Sequence, residues 1–210
     1  MTNDEIINAV KPYTMVSTER LTQLLNAVEH IVNNNIDGDF IEIGVWKGGC
    51  IMAICLKLIQ LNKTNKKIFL YDTFQGMSEA EDIDVDLCGE TAKNWLKTND
   101  CIASIDEVKI NVENTGYPKD LIFYKIGNIL ETNILEIPKN ISLLRLDTDW
   151  YNTTKFELEN FEPNVCKKGI IIIDDYGHWK GSKKATDEYI DKKQINLNII
   201  DYTGVWWEKI

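Results

Sequence analysis

Two runs hold the residues with the most chemistry to offer. Leu143-Leu144-Arg145-Leu146-Asp147-Thr148-Asp149 ends an apolar segment in two acids, and Ile171-Ile172-Ile173-Asp174-Asp175-Tyr176-Gly177 ends another in an acid pair. Neighbouring strands lie about 4.8 Å apart, so Asp147 and the Asp174–Asp175 pair can converge on one point. Packed carboxylates repel unless they are protonated or neutralised by a cation. Oxygen-only ligands select a hard ion, Mg²⁺ first, with Mn²⁺ or Ca²⁺ as alternatives. One acid at a strand end needs no more than a solvated loop; four acids at two ends predict a metal site built on Asp147, Asp174 and Asp175.

A second centre lies at Glu42-Ile43-Gly44-Val45-Trp46-Lys47-Gly48-Gly49. Its glycines allow a tight turn and close approach of a ligand to the main chain just before a helix N-terminus. The pattern is neither the GxGxxG of a dinucleotide fold nor a GxxxxGK[ST] phosphate loop. A carboxylate at Glu42 repels pyrophosphate but accepts a bond from an ammonium group, which favours a cofactor with an amino-acid part. A plain strand-to-helix turn is the alternative. Asp72 ends the next strand, about 30 residues past that turn, where an acid can accept from both ribose hydroxyls; a turn cap is the competing role.

Other residues are weaker candidates. His178 follows the acid pair, either touching substrate or lying on a surface loop, and His30 sits on an amphipathic helix. Trp46, Trp150 and Trp179 fall in strand-end loops, where flat rings can line a sugar or aromatic group. Trp206 and Trp207, in the tail, belong to the core or to a homodimer interface.

Helices and strands must alternate to place these groups. Thr18 to Asn34 carries a helical apolar stripe. Strands are expected at Phe40 to Gly44, Lys67 to Tyr71, Leu121 to Ile126, Ile141 to Leu146 and Ile170 to Ile173. Helices are expected near Cys50 to Leu61, Ile102 to Val112, Thr153 to Phe161 and Ser182 to Asp191. Leu197 to Asp201 and Val205 to Glu208 form a terminal hairpin, and the acidic Ser78 to Glu90 stretch is expected to be a mobile loop that orders on substrate. Such alternation means a mostly parallel α/β sheet, with ligands beyond the C-terminal strand ends. One domain spans 1–210, with a helical lid segment at 1–36 and a Rossmann-like core at 37–210.

Composition narrows the class. The 210 residues are 44% hydrophobic and 27% charged, as in globular proteins, and the formal charge is −10. That charge, without a basic stripe, argues against a nucleic-acid partner. There is no run long enough to span a bilayer and no signal-peptide pattern. Five cysteines without a CxxC pair point to a reducing, cytoplasmic setting.

Taken together, these motifs resemble the macrocin-type O-methyltransferases, metal-dependent S-adenosylmethionine (SAM) enzymes acting on antibiotic sugar hydroxyls. The resemblance runs through Tyr13-Thr14-Met15-Val16-Ser17, Gly38 to Gly49, Tyr71-Asp72-Thr73-Phe74-Gln75-Gly76-Met77, Leu144 to Tyr151 and Ile173 to Gly177. It implies a seven-stranded, mostly parallel sheet whose last strand is antiparallel, with helices on both faces. It also implies that Glu42 and Gly44 hold the methionine end of SAM, that Asp72 holds the ribose, and that Met15 and Ser17 close over the cofactor. Trp46, Gly48, Thr73, Asn128 and Asp147 complete the implied cofactor set. The resemblance implies further that Asp147, Asp174 and Asp175 bind Mg²⁺ and that Asp149 is the general base. Two alternatives stand beside it: a glycosyltransferase using Asp147-Thr148-Asp149 as a DxD motif, and a SAM-binding protein without turnover.

Overall fold

The computed structural model describes residues 1–99, 101–131 and 136–210. Seven strands form one sheet in the order β3-β2-β1-β4-β5-β7-β6. They are β1 (Asp39–Ile43), β2 (Ile68–Asp72), β3 (Ile122–Ile126), β4 (Ile141–Leu146), β5 (Val165–Ile173), β6 (Asn198–Ile199) and β7 (Val205–Glu208). The first five pair in parallel, and β7 runs antiparallel to both β5 and β6. This is the expected architecture, and the expected tail hairpin supplies its antiparallel pair.

Alternation along the strands divides the core in two. Phe40, Leu70, Leu143, Ile170 and Ile172 face α2 (Thr18–Asn33), α3 (Gly49–Gln60) and α5 (Ile105–Glu113). Ile41, Ile43, Tyr71, Leu144, Leu146, Ile171 and Ile173 belong to the cluster on the opposite face, with Leu158 of α6 (Tyr151–Asn160) and Tyr189 of α7 (Lys180–Lys193). Both faces are covered, which is why the central strands read as nearly continuous apolar runs. The chain begins with α1 (Asn3–Val10), held by a Thr2–Glu5 capping box, and Ser17 caps α2 by accepting from the Arg20 N–H at 3.1 Å.

One expectation changes here. The acidic stretch is folded down rather than loose: Asp84 is fully buried and accepts from the Glu81 and Tyr151 N–H groups at 2.8 Å each. Trp150 Nε1 donates to the Ser78 carbonyl at 3.0 Å, and the Asp86 backbone bridges to Trp179. Ala80 and Ala92 pack against Trp150 and Trp179, whose rings meet edge-on with centroids 4.9 Å apart. A charge-rich composition hid one acid turned inward as a cap. Of the two places expected for the tail tryptophans, the structure shows the core: Trp207 is buried in the second cluster and Trp206, partly buried, packs on the first. No helix among the described residues is long and apolar enough to cross a membrane.

The strand order reverses between β1 and β4, the place where open α/β sheets bind ligands. Gly44 follows β1 there with φ +82°, and a Cβ on it would overlap the Asp147 carbonyl oxygen. Gly116 has a similar φ, +80°, with open space around it. Gly116→Ala is therefore expected to cost about 1 kcal/mol from backbone conformation alone, and Gly44→Ala at least about twice that, as read by urea unfolding. Equal losses would contradict the close approach.

Candidate active site

A cavity of about 280 Å³ opens over the C-terminal ends of β1, β2, β4 and β5. The strand ends are stitched so that each carries the next: the Asp147 N–H donates to the Ile43 carbonyl at 2.9 Å, and the Asp174 N–H to the Leu146 carbonyl at 3.0 Å. Carboxylate oxygens of Asp147, Asp174 and Asp175 all lie within 4.8 Å of one another. The convergence expected from the sequence is present, and an all-oxygen donor set of this kind fits a hard divalent ion.

The sequence reading missed the cation already in the group. Arg145 is in register with Glu42 on β1 and is buried. Its Nη1 donates to Glu42 Oε1 at 2.6 Å and to Asp147 Oδ2 at 2.7 Å, and its Nη2 donates to Asp174 Oδ1. Arg20, from α2, donates through Nη1 to Asp174 Oδ2 and through Nε to Asp201 Oδ2 at 3.0 Å. Each carboxylate oxygen has two lone pairs, so these bonds leave acceptor capacity on Asp147 and Asp174. Asp175 forms no ion pair with either arginine and is buried beside Asp147 and Asp174.

Burial and crowding set the protonation. Burial first, then Asp147, pushes Asp149 up to about 7. Burial raises Asp174 to about 6 against the pull of Arg145. Asp175 is pushed well above the carboxylate range by burial and then by Asp149, and Glu42 is raised by burial to about 8 despite Arg145. An ion entering this group must displace protons, as it does wherever carboxylates are its ligands.

The cofactor half is mixed. Glu42, Gly44, Trp46, Asp72, Thr73, Asn128, Asp147 and Met15 line the cavity. Glu42 Oε2 is buried without a partner, which suits an incoming ammonium donor. Asp72 Oδ2 accepts from the Val45 N–H at 2.6 Å and the Trp46 N–H at 3.2 Å, while Oδ1 accepts from the Phe74 N–H at 2.7 Å. Asp72 thus caps the turn, with Thr73 Oγ1 a further donor to Oδ1 at 3.5 Å, and it lines the cavity. Ser17 and Gly48 stand outside the lining. Ser17 donates to Asp201 Oδ2 at 2.7 Å and orients Arg20. Gly48 begins α3 with φ +85° against Val108 and Val112.

Beyond the acids, Trp95, Trp179, His178 and Tyr202 line the cavity as linked edge-to-face pairs, with centroids 5.8, 5.0 and 6.2 Å apart. Trp179 lies on the same cavity wall as Asp149. Trp150 is core beneath this wall and does not line it. Burial lowers the pKa of His178.

The model of the macrocin-O-methyltransferase (TylF) family matches residues 8–209. The demethyldecarbamoylnovobiocin O-methyltransferase of Streptomyces niveus is 30% identical over 201 residues, covering 94% of this chain and 76% of that protein. The mycinamicin III 3''-O-methyltransferase of Micromonospora griseorubida is 29% identical over 201 residues, covering 94% and 78%. The solved structure of the O-methyltransferase NovP matches with a TM-score of 0.81 at 29% identity, over 94% of this chain and 82% of that one. The calicheamicin methyltransferase CalS11, 16% identical with a TM-score of 0.70, covers 98% and 90% and shares the fold. The chain belongs to the macrocin-O-methyltransferase (TylF) family and is a SAM-dependent O-methyltransferase.

Proposed function

We propose that this enzyme methylates a hydroxyl of an uncharged sugar, with Mg²⁺ held by Asp147, Asp174 and Asp175 and with Asp149 as general base. The observation that carries the reading is the convergence of those three carboxylates within 4.8 Å beside the Gly44 turn. Family membership favours methyl transfer over the nucleotide-sugar alternative for Asp147-Thr148-Asp149.

Strand order supports an arrangement of the reactants. Asp72 ends β2, Glu42 and Gly44 belong to β1, the acids follow β4 and β5, and Tyr202 lies between β6 and β7. Donor, ion and acceptor would then be held over successive C-terminal strand ends. Glu42 Oε2 accepts from the ammonium of the donor, and Asp72 accepts from its ribose hydroxyls. The acceptor ring rests on Trp95, His178 and Tyr202, where aromatic faces meet sugar C–H groups. Among the described lining residues the cationic types are Arg20, tied to Asp174 and Asp201, and His178, held toward neutrality by burial. A phosphorylated sugar finds no free cation on this wall.

SAM supplies a methyl group on a positive sulfur, and Mg²⁺ supplies acidification and orientation of nearby hydroxyls. Asp149 takes the proton of the attacking hydroxyl on a carboxylate oxygen. The new C–O bond forms as the C–S bond breaks, and S-adenosylhomocysteine leaves. Trp179, packed on Trp150, keeps water from this side of the cavity. Arg145 offsets the charge of Glu42, Asp147 and Asp174 so that the acids can stay together.

Three outcomes follow. Asp147→Ala is expected to abolish divalent-ion-dependent turnover while S-adenosylhomocysteine still binds by calorimetry; undiminished wild-type activity in excess chelator contradicts the metal role. Asp149→Asn is expected to lower kcat by about 10² to 10⁴ with unchanged Mn²⁺ affinity, and a near-normal kcat removes its role as base. In a panel of methyl glycosides and the matching nucleotide-diphosphate sugars, mass spectrometry is expected to find the added methyl on glycosides. Preferential methylation of the nucleotide sugars contradicts the uncharged acceptor.

A further inference from the structure

Behind the catalytic loop lies an acid that the reaction does not use. Glu157, on α6, is fully buried. Its Oε1 accepts from Thr148 Oγ1 at 2.8 Å, and its Oε2 has no partner. Leaving a buried carboxyl oxygen unpaired costs about 1–3 kcal/mol or more, and an apolar side chain would avoid that cost. Packing alone gives no reason for a carboxyl here.

Thr148 gives the reason. It is the middle residue of Asp147-Thr148-Asp149, between a proposed metal ligand and the proposed base. Its carbonyl accepts from the Trp150 N–H at 2.7 Å and from Thr153 Oγ1 at 3.2 Å. On its other side, the Thr148 methyl lies 3.3 Å from where a Cβ on Gly44 would stand. Asp149 then turns through φ +67°, a left-handed conformation that a non-glycine residue keeps only when its surroundings hold it. Main-chain bonds hold Thr148 from one direction, and its side chain is held by Glu157.

We infer that Glu157 is a positioning residue: through Thr148 Oγ1 it locks the loop that aims Asp147 at the ion and Asp149 at the acceptor hydroxyl. The assignment rests on the proposed roles of Asp147 and Asp149, but the hydrogen bond and the turn it holds do not. Loss of an outer partner of this kind weakens a metal site by about tenfold or more.

The test compares Glu157→Gln, whose amide oxygen accepts the same bond, with Glu157→Leu, which cannot. Thr148→Ser and Thr148→Val repeat the comparison from the donor side. Crystal structures and Mn²⁺ titrations by electron paramagnetic resonance give the readouts, and thermal melts check folding. Expected are a wild-type loop and wild-type Mn²⁺ affinity in Glu157→Gln and Thr148→Ser. In Glu157→Leu and Thr148→Val, Asp149 is expected to leave its left-handed turn, with Mn²⁺ affinity falling about tenfold. An unchanged loop in both Leu and Val variants overturns the inference, as does a displaced loop in the Gln variant. If wild type binds no Mn²⁺, the metal reading fails by itself, and the loop conformations still decide the role of Glu157.

Discussion

A buried guanidinium among acids is the constraint on which the rest of the structure depends. Glu42, Asp147 and Asp174 come from three adjacent strands, and each bonds Arg145. Two like charges about 4 Å apart cost about 4 kcal/mol at an effective dielectric of 20. Without Arg145 the strand ends that must converge would repel one another. With it, Glu42 can sit in the core beside the donor turn while Asp147 and Asp174 turn toward Asp175. Removing one partner of such a buried group leaves an uncompensated charge, so the fold and the chemistry share one set of bonds.

The same principle extends outward. Arg20 ties Asp174 to Asp201, and Ser17 ties Asp201 to the start of α2. The N-terminal segment and the β6–β7 turn therefore meet at a carboxylate of the site. On the opposite side, Asp84 uses its buried carboxylate to cap Tyr151 and fold the acidic segment onto Trp150 and Trp179. The short helix Ala92–Trp95 that follows it brings Trp95 to the cavity wall. Polar groups buried with their bonds made, rather than apolar packing alone, decide what surrounds the reactants.

Much of this was legible in the sequence because it rests on periodicity and strand-end position. Apolar runs ending in Asp147, Asp174 and Asp175 marked the sheet and the cluster, and the turn after Glu42 marked the strand-order switch. Element ends shifted by a few residues, most at β5, whose observed start at Val165 precedes the apolar run. Arg145 was passed over because it sits inside an apolar strand. Its signal was there: a charge two places before a strand-end acid, like Glu42 two places before Gly44. Arg20, Tyr202 and Trp95 could not be read in this way, because they reach the cavity from α2, a hairpin turn and the short helix Ala92–Trp95, and only tertiary packing joins them. Ser17 and Gly48 carry motif positions, yet their structural work is to cap one helix and begin another. The acidic segment misled because composition averages over a stretch in which one buried acid, Asp84, and one small residue, Ala80, decide the packing.

The most direct measurement is anomalous diffraction from crystals grown with Mn²⁺ and S-adenosylhomocysteine. One Mn²⁺ peak is expected among Asp147, Asp174 and Asp175, next to the sulfur of the bound product, with Arg145 still bonded to Glu42. Full occupancy of the product with no peak among those carboxylates would contradict the metal-assisted site.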